Sequence, residues 1–406
     1  KTAYEIMPSL VGSEMCIRDS GKTPLPNKYG IHIRGGSTWI YVGGKNEGQG
    51  NIISGNRESG VRIEDNFTAA IYVLGNMIGT DGDGTARVPN TYGVHVLNGA
   101  DAEIGDEEKG GNLISGNLEE GVRIENASAC LEGNNIGTNK EGTAALPGQR
   151  QRIGVYLLKA VRGTIIGRWN TISGNEEYGV VIGDSSEIKV YGNLIGTNKE
   201  GTDKIPNEIG VLIASGTENH IGGSEEGQRN IISGNWIAGV MIIDKWAKYN
   251  YVWYYYIGTN KEGTEALSNG TGVKIRESAE NFIAWNLISG NEHAGVLIYG
   301  YGADGNEVYG NYVGTDKEGT VAIPNENGVE ITGGAKFNEI GSKDKERNII
   351  SGNRDNGVLI ESGTTNHNWV CENYIGTDKE GTAAIPNKNG VHISGCLLYT
   401  SPSPRD

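Results

Sequence analysis

Residues 193–243 read NLIGTNKEGTDKIPNEIGVLIASGTENHIGGSEEGQRNIISGNWIAGVMII, and the stretch contains one pair of motifs twice. Gly210 and Gly239 each open Gly-Val-x-Ile. Asn193 and Asn230 each open Asn-x-Ile followed by a small residue. The first copy runs through Ile-Gly-Thr into a loop closing on Pro206 and Asn207, and the second ends in Ile-Ser-Gly-Asn at Asn235. Side chains alternate within each motif with the period of a strand, and Gly and Asn punctuate them as turns.

Outward from this stretch, Gly-(Val/Ile)-x-aliphatic recurs thirteen times between Gly30 and Gly390, with a mean step of 30 residues and a shortest step of 23. The Asn slot holds Asn51, Asn76, Asn112, Asn134, Asn170, Asn193, Asn230, Asn286, Asn311, Asn348 and Asn373, with Tyr255 in the one remaining coil. Coils ending in ISGN alternate with coils ending in IGT plus an inserted NKEGT-type loop, so the full repeat is a pair of coils. Three short strands in one such step cannot form a sheet alone. Stacked, each strand pairs in parallel with its equivalent above and below, about 4.8 Å per coil. Such crossovers wind right-handed, and an Asn repeated at one buried slot can both donate and accept along the stack. The expected fold is all-β: a right-handed parallel β-helix, or solenoid, of about 12 coils. Tyr254 to Tyr256 break a Gly-Asn turn and predict a local bulge.

The 406 residues include 65 Gly, about twice the usual share of roughly 7%, but only 3 Phe, and carry a net charge of −15. That balance argues against nucleic acid and anionic membranes as partners. No apolar run nears the ~18 residues of a membrane span. Residues 1–20 and 396–406 share no pattern with the rest and resemble translated sequencing-adapter DNA. The expectation is a metagenomic fragment truncated at both ends, with 21–395 forming a single β-helix domain. Uncapped coils would expose strand edges and favour end-to-end self-association.

The combination NxIGG, NxISGN, GVxI and NxIGTDxxGTxxxPN resembles the parallel β-helix repeats of large bacterial secreted and surface proteins, over essentially all of 21–395. The resemblance implies a fold shared with pectate lyases and polygalacturonases, and equally with adhesins and passenger domains that lack enzymatic activity. It implies an extracellular or cell-surface location and fixes no catalytic residue, because function sits in sites grafted on the fold.

Candidate chemistry lies on the outward faces. In GVxI, x and the residue after Ile point outward, which places Arg62, Glu64, His95, Arg123 and Glu125 in one ladder with His32 and Arg34. An Arg can bind a uronate carboxylate and a His or Glu can move a proton, as a polysaccharide lyase or glycoside hydrolase on acidic glycans requires. The same residues also suit a solvated face of paired charges. Further along, the ladder turns apolar at Val181, Leu212, Met241, Leu297 and Leu359, as a partner surface or a covered face would. Aligned on the Asn slot, Tyr251, Trp253 and Tyr256 point outward on the second strand region. Phe282, Tyr309, Tyr312, Trp369 and Tyr374 fill equivalent slots, and Trp285 replaces a turn glycine. Flat aromatic rows suit sugar rings; they also suit cross-strand packing. The loop Asp81-Gly82-Asp83-Gly84-Thr85 faintly resembles a calcium loop but lacks the ligand count and closing Glu. The Pro-Asn loop ends read as turn chemistry. Six histidines in different coils hold no zinc pattern, so no metal or cofactor is assigned. The uniform loops favour a non-catalytic repeat module, stalk- or adhesin-like, contacting polysaccharide or cell-surface glycan through the aromatics.

Overall fold

The computed structural model describes residues 26–395 except 149, 224–226 and 343–344. The stretches read as adapter-derived, 1–20 and 396–406, lie outside the described residues. Three parallel sheets run the length of the rod. Sheet I has thirteen strands, from Ile31–Ile33 to Asn389–Ser394, built on the GVxI motifs. Sheet II has twelve, from Thr38–Gly43 to Trp369–Val370, and sheet III twelve, from Ile52–Ile53 to Tyr374–Ile375. Each strand pairs with its equivalents one coil before and after, as Val122 does with Val94 and Val155. The fold is a right-handed parallel β-helix, and no helix among the described residues is long and apolar enough to cross a membrane.

The alternation of each motif sends Val122, Ile124, Leu131 and Ile136 of one coil inward, all at 0% exposure. Like residues above and below make one continuous apolar column. Polar ladders close its corners. Asn134 donates to the Ile104 carbonyl at 2.8 Å and to Asn170 Oδ1 at 2.9 Å, while its own Oδ1 accepts from the Asn112 amide and side chain. Every polar atom of that buried amide is thereby used, which spares the roughly 1–3 kcal/mol that an orphaned buried group costs.

The ISGN and Pro-Asn asparagines, the latter read from sequence as turn chemistry, form a second ladder between sheets III and I. It runs Asn56, Asn90, Asn117, Gln151, Asn175, Asn207 and onward, each side chain bonded to the next. A third ladder, Asn219, Asn250, Asn281, Asn306, Asn338 and Asn368, joins sheets I and II in the later coils.

The bulge expected at Tyr254 to Tyr256 does not occur. Tyr255 points inward at 1% exposure and keeps the ladder's backbone role: its amide donates to Asn286 Oδ1 at 3.0 Å and its carbonyl accepts from Leu287. Sheet III stays in register on both sides, Ile231 with Tyr256 and Tyr256 with Leu287. The phenol fills core volume, and its hydroxyl reaches the Val190 carbonyl at 3.4 Å.

Candidate functional site

The aromatics group on sheet II in the seventh to tenth coils. His220, Tyr251 and Phe282 are in-register neighbours, with centroids 4.9 and 4.8 Å apart and planes within 11°. In-register pairing stacks equivalent side chains, so these rings turn their faces to one another along the axis. The expected row of free, flat faces is absent here. Trp253 lies beside them, 5.7 Å from Tyr251, in register with Ala284, whose small side chain leaves room for the indole. Its Nε1 is buried and has no hydrogen-bond partner among the described residues.

The next two aromatics occupy a turn. Tyr254 and Trp285 have φ of 59° and 54°, in a turn slot that Gly133, Gly192 and Gly310 fill with φ of 67–71° and that Trp169 and Glu372 fill with φ of 66° and 53°. Such a conformation costs a non-glycine residue on the order of 1 kcal/mol. Tyr254 and Trp285 stack at 5.3 Å, and Trp285 meets Tyr309 edge-on at 5.3 Å and 88°. Gly310 keeps this space open, since a Cβ there would come within 2.7 Å of the Trp285 ring. Trp285, Tyr309, Lys345 and Glu346 line a shallow concavity of about 440 Å³. Glu346 accepts from Trp285 Nε1 at 3.0 Å, and Lys345 Nζ sits 4.4 Å from the Tyr309 centroid while pairing with Glu307. Apolar ring surface thus meets one cation and one carboxylate. Sequence reading places none of Lys345, Glu346, Tyr254 and His220 in this group. The long, charged turn after Gly341 and the alignment of His220 with Tyr251 are the signals that point to them.

Tyr256, Tyr312 and Tyr374 belong elsewhere. They lie on sheet III, not with the second-sheet row, beneath the inserted loops. A Cβ on Gly263 would meet Tyr256 at 2.8 Å, and one on Gly319 would meet Tyr312 at 2.6 Å; Tyr374 lies likewise against Gly381. The Arg229 and Arg347 guanidinium groups lie over the Tyr256 and Tyr374 rings, 4.3 and 4.9 Å from their centroids. Trp369 is on sheet II but three coils beyond Phe282, near Phe337, and is not part of the cluster.

On sheet I the charged ladder is paired within itself. Glu64 accepts from Arg62 at 2.9 and 2.6 Å and lies 2.6 Å from His32 Nε2. Arg123 bonds both Glu120 and Glu125. His95, between Arg62 and Arg123, is 6% exposed, with Nε2 3.6 Å from Glu125. Burial and then the two guanidinium groups push its pKa down to about 4, while burial raises that of Glu120. The apolar continuation of this face is covered by its own stacking: Val181, Leu212 and Met241 are buried with Ile209 and Ala238, Leu359 is buried too, and Leu297 is half-buried.

The Asp81 carboxylate accepts from the Thr85 and Ala86 amides and the Thr85 hydroxyl, holding its own loop. Among the described residues, no three His, Cys, Asp or Glu side chains group closely enough for a metal ion. Cys130 and Cys371 are free thiols.

A family profile described as a right-handed beta helix region matches residues 85–252. No curated protein sequence matches the chain. Among solved structures, the periplasmic alginate epimerase AlgG is similar at 13% identity and a TM-score of 0.52, over 97% of this chain and 84% of that one. The A-module of the Azotobacter vinelandii mannuronan C-5 epimerase AlgE6 is similar at 14% identity and a TM-score of 0.41, over 88% of this chain and 84% of that one. Sheet topology, the profile match and the likeness to AlgG agree on the fold of this chain, a right-handed parallel β-helix.

Proposed function

We propose that this rod is a non-catalytic, extracellular or cell-surface bacterial repeat module that contacts polysaccharide through sheet II, at the concavity formed by Trp285, Tyr309, Lys345 and Glu346. The observation that carries the reading is the pairing of aromatic walls with a cation and a carboxylate on a rigid sheet. The half-buried indole supplies apolar surface for the C–H face of a sugar, the Tyr309 ring, 9% exposed, backs it, and the charged heads meet the sugar's hydroxyls. That a structure sharing the fold is an alginate epimerase supports the ligand class alone.

The second reading, a polysaccharide lyase or glycoside hydrolase at Arg62, His95 and Arg123, is favoured by the perturbed pKa values of His95 and Glu120, because shifted acids and bases gather in active sites. It is weakened by access. His95 is enclosed, and the guanidinium groups already hold carboxylates.

Retention of the full chain on immobilised neutral and acidic polysaccharides, together with an assay of new reducing ends, tests both. Retention without cleavage, lost by about tenfold or more in Trp285→Ala, is expected. Reducing-end release that Arg123→Ala abolishes would establish the enzyme instead.

A further inference from the structure

The aromatic surface has a direction. Along the axis, the row through Tyr251 is aromatic for three consecutive coils, and its other aromatics, Tyr41 and Tyr72 in the first two coils and Trp369 in the twelfth, are cut off from these by non-aromatic residues. Lys189 precedes His220 in register, and Glu307 and then Glu339 follow Phe282. Across the axis, the eighth coil is aromatic over the whole outward width of sheet II. Trp246 and Tyr249 stand at the turn from sheet I, Tyr251 and Trp253 on the strand, and Tyr254 at the turn toward sheet III. From Tyr249 to Tyr254 is five residues of chain, about 17 Å if extended.

The far end of this strip is built as deliberately as the concavity. Trp246 is 65% and Tyr249 43% exposed, the latter with φ of 56°. The Tyr249 amide donates to the Glu280 carbonyl at 2.9 Å, and Lys248 pairs with the Glu280 carboxylate at 3.3 Å. The Trp246 amide is held by Asp244 Oδ1 at 3.0 Å, and Lys245 Nζ lies 5.1 Å from the indole centroid. Ring surface and charged groups therefore recur at both edges of sheet II, at the eighth coil on the sheet I side and from the ninth coil onward on the sheet III side.

Resting on the glycan-contacting reading above, we propose that the ligand is an extended oligosaccharide segment that crosses the rod at the eighth coil. It runs from Trp246 and Tyr249 over Tyr251 and Trp253 of the eighth coil to Trp285 in the ninth and Tyr309 in the tenth, an oblique crossing of sheet II and not a path along the solenoid axis. A single sugar fills the concavity alone; a longer segment continues over Trp253 and Tyr251 to the exposed pair. The polar residues that bound the row before and after it leave no aromatic path along the axis within these coils.

The test is binding calorimetry of the full chain with cello-, manno- and alginate-oligosaccharides, from single sugars to octamers. The variants are Trp246→Ala, Tyr249→Ala and Trp285→Ala, with Trp369→Ala as the control along the axis. Affinity is expected to rise with length in the unaltered chain. Trp246→Ala and Tyr249→Ala should lower octamer affinity by about tenfold and leave the single sugar unaffected, whereas Trp285→Ala weakens every length. If Trp285→Ala weakens binding but the length dependence survives both edge substitutions, the transverse path is wrong and the contact reading stands. A length dependence removed by Trp369→Ala instead would turn the ligand along the axis. No binding at any length would remove both readings. Trp246 and Tyr249 are exposed, so unchanged melting of their variants separates a binding effect from misfolding.

Discussion

His95 shows what in-register stacking does to a titratable side chain. Each coil sets equivalent residues directly over one another, so the imidazole lies between Arg62 and Arg123, with Tyr92 and Glu125 beside it, while Glu64 and Glu120 hold the two arginines. Burial and the two fixed positive charges keep it neutral down to about pH 4, against 6.5 when free. The unfolded chain takes up a proton near pH 6.5 and the folded one does not. The contribution to stability is therefore complete above pH 6.5 and is lost as pH falls toward 4. The difference corresponds to about 3 kcal/mol at most. Urea unfolding of the unaltered chain and of His95→Gln, each at pH 7 and pH 4.5, measures it. The unaltered chain is expected to lose more of its stability on acidification than the variant. Parallel losses would show that His95 does not titrate differently in the two states.

At the scale of the element, the inserted loops explain their own composition. Each begins with an Asp or Asn whose side chain holds the amide four residues on, as Asn260 holds Thr264 at 3.0 Å. Neighbouring loops also join, the Lys317 amide donating to the Gly263 carbonyl at 3.1 Å. Gly263 has φ of 69° and faces the Tyr256 ring, whereas Gly302, with φ of 91°, has nothing within 4 Å of where its Cβ would be. Gly263→Ala is expected to cost about 2 kcal/mol, from backbone strain and displacement of the ring, and Gly302→Ala about 1 kcal/mol from strain alone. Thermal melting ranks them, and equal shifts would mean that the tyrosine yields freely. The loops also mark where sequence reading succeeded and where it stopped. Strands, coil number and the Asn slot were legible, because period-two alternation and a fixed spacing encode them directly. The second ladder was not, since its slot alternates between two motifs that look unrelated until the coils are stacked. Asn207 closes a loop and Asn235 ends ISGN, yet they bond side by side. The aromatics were legible as outward-facing but not by sheet. Tyr256 is five residues from Tyr251, and the turn between them moves it to another face.

For the whole molecule, the same repetition makes stability local. Each coil packs mainly on its immediate neighbours, with a few bonds reaching the coil beyond, such as Tyr255 to Val190 and Trp285 to Glu346, so folding free energy is largely a sum of coil and near-neighbour interface contributions. Ile195, at 0% exposure in the strand Leu194–Ile195, stands in the middle of the rod between Ile172 and Ile232. Ile195→Asp buries a carboxylate with no partner and is expected to cost more than about 3 kcal/mol at that level. Hydrogen exchange followed along the chain should show protection lost in the adjoining strands Thr171–Ile172 and Ile231–Ile232 and kept around Ile63 and Ile331, many coils away. Such a break leaves the aromatic strip of the eighth coil beside the damaged level, so glycan retention should fall with local protection even though much of the rod stays folded. Uniform loss of protection from end to end would instead show that the three Asn ladders couple the coils into one cooperative unit.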